Sequence, residues 1–382
     1  MRRLKEMFAR RPRVLIVSAV VAVIATGGGL ATLAKGERPE AVLTAARAAV
    51  LPNRAPPPAP AELQAKLQDL AERFGEPVGI AVTDVEEGWT AEVDGQSVYP
   101  QQSVVKIWVA LAVMEAVDQG RIGLDQTVIV RPEDRSVFYE PLGRKVGTQG
   151  FATTYRDLLS RSLSESDNTA NDKLIWEVGG PAAVEQLVAA KGLRGIGVGG
   201  DERTLQSLTA GVDWKPGLVG WRFKEARAKL PDDVRNRALD SYLAAPPDGA
   251  TPMGLTHGLA ALKRGELLSP ASTDALIGFM AASKTGNLRL RAGLPPGWAI
   301  AHKTGTGPDW RGASVGINDV GLITAPDGRT YAVAVLLRET YKPPRERQAL
   351  MQAVSRAVAE HWARRGASAV TAGAFVAAQA GG

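Results

Sequence analysis

Apolar and polar positions change rhythm several times along this chain, and the order of the changes sketches a fold. Residues 14–34, VLIVSAVVAVIATGGGLATLA, contain no charged side chain. From Ala61, the run AELQAKLQDLAERFG brings Leu63, Leu67 and Leu70 onto one helical face and closes with Gly75, a helix and its stop signal. Between Val78 and Gly95, VGIAVTDV and WTAEVDG predict two strands joined by a turn. Residues 101–116, QQSVVKIWVALAVMEA, predict a helix running on to Gly120, apolar from Val104 to Met114 except at Lys106. Helical patterns fill much of 154–191 and 256–284. Three late runs, GWAIAHKTG, VGINDVGLITA and YAVAVLLRE, predict strands, the last two joined through APDGR. An amphipathic helix over 345–363 follows, with Leu350, Val354, Val358 and Trp362 apolar. Strands at both ends with helices between them predict an α+β domain whose first and last segments pair in one antiparallel sheet. The charge-free tail 366–382 is expected to be disordered.

Charge changes the picture only at the start. The net charge is +6, but residues 1–13, MRRLKEMFARRPR, hold six basic side chains and one acid, leaving 40 basic and 39 acidic elsewhere. A nearly neutral body carries no nucleic-acid footprint. The apolar run at 14–34 is about long enough for a bilayer core of ~30 Å. The arginines before it would stay cytoplasmic, which sends the rest of the chain outward. Its length favours an uncleaved inner-membrane anchor, and a cleaved signal peptide ending at ATLA before Lys35 is the close rival. Either way the body is extracytoplasmic, on the periplasmic side. Residues 35–60, with LPNRAPPPAPAE, then form an extended Pro/Ala spacer. Cysteine is absent, and the only histidines are the scattered His257, His302 and His361. Neither a thiol nucleophile nor a metal centre is indicated, and no cofactor is expected.

The chemistry starts from Lys106. A cation in an apolar helix is expensive to desolvate, so a buried ammonium loses its proton or finds a partner. Ser103 precedes it at i, i+3, on the same helical face. A serine in the first turn lies where unpaired N–H groups and the helix dipole favour an alkoxide or oxyanion. Alone, S-x-x-K is as easily a helix cap followed by an ordinary lysine. Two further clusters change that. SESDNTANDKL brings Ser166, Asp167 and Asn168 together at a helix start, and AHKTGTGPDW places Lys303, Thr304 and Gly305 at a strand end.

With these three motifs in this order, the sequence resembles the class A β-lactamases, within the penicillin-recognising serine enzymes. The resemblance spans 61–365 and implies a β-lactamase/transpeptidase-like fold: a five-stranded antiparallel sheet flanked by helices, with an all-helical subdomain. It also implies roles. Ser103 would be the acylated nucleophile, Lys106 would assist proton transfer, and Ser166 would relay a proton to the leaving nitrogen. Asn168 would touch the substrate's side-chain amide, with Asn168 and Ser103 as hydrogen-bond partners of Lys106. Lys303, Thr304 and Gly305 would line the carboxylate site, and the N–H groups of Ser103 and Thr306 would form the oxyanion hole. GGDERTLQS supplies Glu202, 36 residues after Ser166, at the position of the deacylation base. The family's Glu-x-x-Leu-Asn ends here in Gln206, whose extra methylene puts the placement of the hydrolytic water in doubt. Arg289 matches an arginine that supports carboxylate recognition, and Tyr139 an aromatic gatekeeper. The interval from Glu202 to Lys303 is about thirty residues longer than the family's, an insertion at 208–245 that contains Trp214, Trp221 and Pro231 and either roofs the cleft or packs remotely.

Rivals remain. A Ser–His–Asp triad would need His302, but neighbours on a strand face opposite ways, so His302 points away if Lys303 points in. A penicillin-binding cell-wall peptidase shares the fold and deacylates poorly. A β-lactam sensor would have only about thirteen cytoplasmic residues and no effector domain. The expected partner is a β-lactam or a peptidoglycan-like substrate, and a monomer is the working expectation.

Overall fold

The structure, a computed structural model, describes residues 56–380, with side chains as far as 365. The basic start, the apolar run at 14–34 and the first part of the spacer lie outside the described residues. Among those described, no helix is long and apolar enough to cross a membrane.

The first and last strand-like segments pair as their patterns predict. In chain order the strands are β1 (Gly79–Asp84), β2 (Thr90–Val93), β3 (Tyr99–Pro100), β4 (Thr127–Val130), β5 (Phe151–Thr154), β6 (Gly249–Ala250), β7 (Ala299–Gly305), β8 (Asp309–Trp310), β9 (Ala313–Thr324) and β10 (Thr330–Thr340). The main sheet runs β2-β1-β10-β9-β7, antiparallel throughout. Its centre is β1 against β10, with Ile80 opposite Val335 and Val82 opposite Val333. The expected five strands are joined by a sixth, the two-residue β8, which pairs with β9 beyond the end of β7.

The helices are α1 (Ala61–Phe74), α2 (Lys106–Asp118), α3 (Tyr155–Ser160), α4 (Asn168–Glu177), α5 (Pro181–Ala190), α6 (Glu202–Ala210), α7 (Trp221–Ala228), α8 (Asp232–Ala244), α9 (Pro252–Lys263), α10 (Pro270–Ala281) and α11 (Pro344–Ala380). α11 continues well past the predicted end at 363, so the segment expected to be disordered is helical as far as Ala380. The reason is local: residues 366–380 are rich in alanine, the best helix former, even without a hydrophobic stripe.

Alternation along the strands gives the sheet two apolar faces, and each face has its own core. On one side Ile80, Val82, Val333 and Val335 meet Leu63 and Leu67 of α1 and Met351, Val354 and Val358 of α11. On the other, Ala332, Ala334 and Leu336 meet α9, α10 and the all-helical part built around α2 and α4. The functional residues lie where the helical part meets the β7 edge.

Candidate active site

Lys106 reaches the site because the helix that carries it passes through the core. α2 is apolar on every side, as befits a helix buried all round, and Lys106 at its first position has no exposed surface. Its Nζ donates to Asn168 Oδ1 at 2.6 Å and to the Ser166 carbonyl at 2.9 Å, and lies 3.4 Å from Ser166 Oγ. Glu202 Oε1 stands 3.1 Å away, in an ion pair of almost wholly buried groups. No donor is aligned on Oε1, so the two are held by charge more than by a directed bond. The expected partnership of Lys106 with Ser103 takes a different form. Ser103 lies in a 3₁₀ turn, Gln102–Val105, that leads into α2, and its carbonyl accepts the Lys106 backbone N–H.

Ser166 follows a single π-helical turn, Arg161–Glu165, and takes a left-handed φ of +64°. Both features concentrate at functional sites. Its Oγ accepts from Lys303 Nζ at 2.8 Å, so one hydroxyl lies between two lysines. Asp167 serves the structure, since Oδ1 caps α4 at Ala170 N, 2.9 Å, and Oδ2 accepts Leu142 N–H at 2.6 Å. Asn168 begins α4, with Nδ2 donating to Val137 O at 2.9 Å.

β7 delivers Lys303, also without exposed surface. Burial first, then the nearby Lys106 charge, push its ammonium well below the usual lysine range. Its Nζ also donates to the Thr304 carbonyl at 2.9 Å. The Thr304 hydroxyl lies 2.8 Å from that of Thr285. Gly305 is required by space: a Cβ there would fall 2.3 Å from the Gln101 carbonyl oxygen. Arg289 braces this corner from behind, donating to Gly305 O at 3.0 Å, Asn318 O at 2.6 Å and Thr306 Oγ1 at 2.7 Å. Tyr139 is 53% exposed, and its carbonyl accepts the Asn168 N–H. His302 is turned to Asp319, 2.7 Å, and Arg291, 3.2 Å, with no site serine among its partners. The pleat argument against a triad through His302 holds.

Glu202 opens α6, which Asp201 caps through Thr204 N at 2.9 Å. Its backbone N–H donates to Asp172 Oδ1 at 2.7 Å, and Gln206 Nε2 donates to Oε2 at 3.1 Å. The longer glutamine therefore still reaches the carboxylate. Asp172 joins the residues expected from the sequence. It lies one helical turn after Asn168, a spacing that places it on the same face and was the one signal for it. Ser136 Oγ donates to it at 2.6 Å, and burial, reinforced by the charges of Asp201 and Glu202, pushes its carboxyl well above the usual range.

The insertion touches both sides of the site. Phe223 packs edge-on against Phe138, centroids 5.1 Å apart, and Gly220 bridges to Val137. Leu239 and Tyr242 bury against Val315 beside Trp310. This favours the cleft-side placement over remote packing.

A serine and two buried lysines sharing a second serine's hydroxyl, with a carboxylate held against the first lysine, define a serine hydrolase site of the penicillin-recognising kind. A family model described as the β-lactamase enzyme family matches residues 62–362, and the chain belongs to that family, as a class A serine β-lactamase. The extended-spectrum β-lactamase PER-1 of Pseudomonas aeruginosa is 29% identical over 279 residues, 73% of this chain and 80% of that protein. β-Lactamase VEB-1, from the same organism, is 26% identical over 73% of this chain and 83% of its own length. A solved β-lactamase from Chitinophaga pinensis shares 27% identity at a TM-score of 0.64, covering 78% of this chain and 97% of its own.

Proposed function

We propose that this enzyme opens the β-lactam amide through a covalent acyl-enzyme on Ser103, with Glu202 as the base that releases it. The observation that carries the reading is the convergence of Lys106, Ser166, Asn168, Lys303 and Glu202 on one buried cluster of short contacts. Ser103 Oγ attacks the lactam carbonyl and gives up its proton to Lys106, which in the same relay passes one of its own to Ser166 Oγ, 3.4 Å away. The oxyanion forms against the N–H groups of Ser103 and Thr306. Ser166, whose hydroxyl lies between Lys106 and Lys303, passes a proton to the departing nitrogen, and the C–N bond breaks. Water then attacks the ester. Glu202 takes its proton, and as the ester bond to Ser103 breaks that proton returns through Lys106 to Ser103 Oγ, restoring both the carboxylate and the serine hydroxyl. A carboxylate oxygen accepts from several donors, so Oε1 beside Lys106 has capacity for that water. Lys303, Thr304 and Gly305 line the substrate carboxylate site, with Arg289 setting Thr306. Asn168 meets the acyl side-chain amide, and Tyr139 narrows the entrance. The insertion, seated on both sides of the site, roofs it.

The enzyme works outside the cytoplasm, held by the apolar segment at 14–34 or released by its cleavage. The mass of the mature N-terminus distinguishes the two. A penicillin-binding peptidase or sensor is the second reading, favoured by one feature: glutamine rather than asparagine beside Glu202.

The test uses the purified protein with a penicillin and a chromogenic cephalosporin, following turnover while mass spectrometry monitors Ser103. Steady hydrolysis through a transient Ser103 adduct is the expected result. A single stoichiometric burst that leaves a stable adduct means the second reading. Neither adduct nor turnover overturns both.

A further inference from the structure

One buried polar circuit lies outside the catalytic cluster, and it begins in the insertion. Tyr242, near the end of α8, is almost wholly buried. Its hydroxyl donates to Asp248 Oδ1 at 2.8 Å and accepts from Gln102 Nε2 at 2.7 Å. The other oxygen of Asp248 accepts the Gln102 backbone N–H at 2.8 Å. Gln102 is thus gripped at its backbone and its side chain by one closed triangle of hydrogen bonds. It also has a left-handed φ of +52°, a conformation that residues with a Cβ rarely adopt.

The surroundings have been cleared for it. A Cβ on Gly316 would fall 2.5 Å from Gln102 Cγ, and one on Gly307 would fall 3.1 Å from Cδ. The peptide that follows Gln102 carries the Ser103 N–H, and its direction is set by the Gln102 dihedrals. Holding Gln102 therefore aims an oxyanion-hole donor. A non-glycine residue in a left-handed conformation persists only where its neighbours over-determine it, and such residues gather at active sites.

We propose that Tyr242, supplied by the insertion, is a positioning residue for the nucleophile: through Asp248 and Gln102 it fixes the peptide that presents Ser103 to the substrate carbonyl. This rests on the reading of Ser103 as nucleophile. The insertion is then part of the acylation apparatus as well as a cover over the cleft. Asp248 makes the circuit sensitive to pH. Burial first, helped by the charge of Glu202 on α6, raises its carboxyl to about 6, against the hydrogen bonds from Tyr242 and Gln102 that lower it. No ion pair to Asp248 occurs among the described residues. Protonation of Asp248 removes acceptor capacity from the triangle, so acylation has an acid limb governed by this group.

The test is Tyr242→Phe in the full chain, compared with the wild type by single-turnover acylation at saturating penicillin between pH 4.5 and 8. The expected result is an acylation rate lowered about tenfold, the loss of a well-aimed hydrogen bond, with the substrate dissociation constant within about twofold. The acid limb moves upward, because Asp248 loses a donor that favours its charged form. Gln102→Leu, which keeps the Tyr242–Asp248 bond, should slow acylation while leaving the limb where it is, and it covers the case in which the tyrosine variant folds poorly. Unchanged acylation in Tyr242→Phe overturns the proposal, and so does a slower rate with an unmoved limb, which marks a packing role only. Absence of any Ser103 adduct in the wild type is the separate failure of the nucleophile assignment.

Discussion

Replacing Glu202 by glutamine separates the two halves of the proposed reaction. The amide oxygen of the new side chain still accepts from Gln206, which reaches Oε2 at 3.1 Å, and the backbone stays pinned through Asp172 at 2.7 Å. What is lost is the capacity to take a proton and the negative charge 3.1 Å from Lys106. General-base catalysis contributes roughly 10²–10⁴-fold, about 3–5 kcal/mol of barrier, and deacylation should slow by that factor. The lost attraction on Lys106 is about 5 kcal/mol at an effective dielectric of ~20. Asn168 at 2.6 Å and the Ser166 carbonyl at 2.9 Å still hold the ammonium, so only part of that is felt in acylation, about tenfold. The inequality is the prediction: deacylation falls much further, and the Ser103 adduct becomes the dominant species. Stopped-flow hydrolysis of a chromogenic cephalosporin with quenched samples for intact-mass analysis reads both steps. Turnover near the wild-type rate would falsify the role of Glu202. Equal loss of both steps, with no adduct in a folded protein, would show instead that Glu202 activates Ser103.

Other perturbations test other parts of the site. Arg289→Ala removes charged donors to Gly305 O, Asn318 O and Thr306 Oγ1 and should raise KM for carboxylate-bearing β-lactams about 10–100-fold, with kcat within about threefold. A kcat loss larger than the KM change argues that Arg289 serves the reaction step. Gly305→Ala sets a Cβ 2.3 Å from the Gln101 carbonyl and should cost about 1–3 kcal/mol in urea unfolding, with loss of the Ser103 adduct; wild-type stability would mean that the strand end yields freely. Asp248 has a carboxyl raised to about 6 from an ordinary 3.8, so the folded state binds the extra proton between those values. Folding stability from this group is greatest below pH ~4 and is lost as pH rises through ~6, by about 3 kcal/mol. Subtracting the Asp248→Asn pH–stability curve from the wild-type curve should show that fall, and parallel curves would remove the argument.

Much of this site could be read along the chain because its parts lie close together in sequence. Ser103 and Lys106 share a helical face, Ser166 to Asn168 share a helix start, and Lys303 to Gly305 share a strand end, so local periodicity alone presents them together. Resemblance to the β-lactamases then supplied Glu202, whose distance from the other motifs carries no local signal. The strands and most helices were equally legible, since alternation and 3.6-residue spacing are local properties. α11 ran past its predicted end because alanine sustains a helix that no apolar stripe announces. Asp172, Gln102, Tyr242 and Asp248 are not marked out by any motif, although each is buried. Gln102 and Asp248 are separated by 146 positions and joined by a 2.8 Å hydrogen bond. A buried polar group must find a partner, but its sequence neighbourhood does not say which one. The choice of partner for Lys106 shows the same limit, since its ion pair is with Glu202, far along the chain on α6. Sequence determined the residue types and the segments that carry them, through local periodicity. Tertiary structure decided which charges and hydrogen-bonding groups face one another, because that pairing is settled by the packing of segments far apart in the chain.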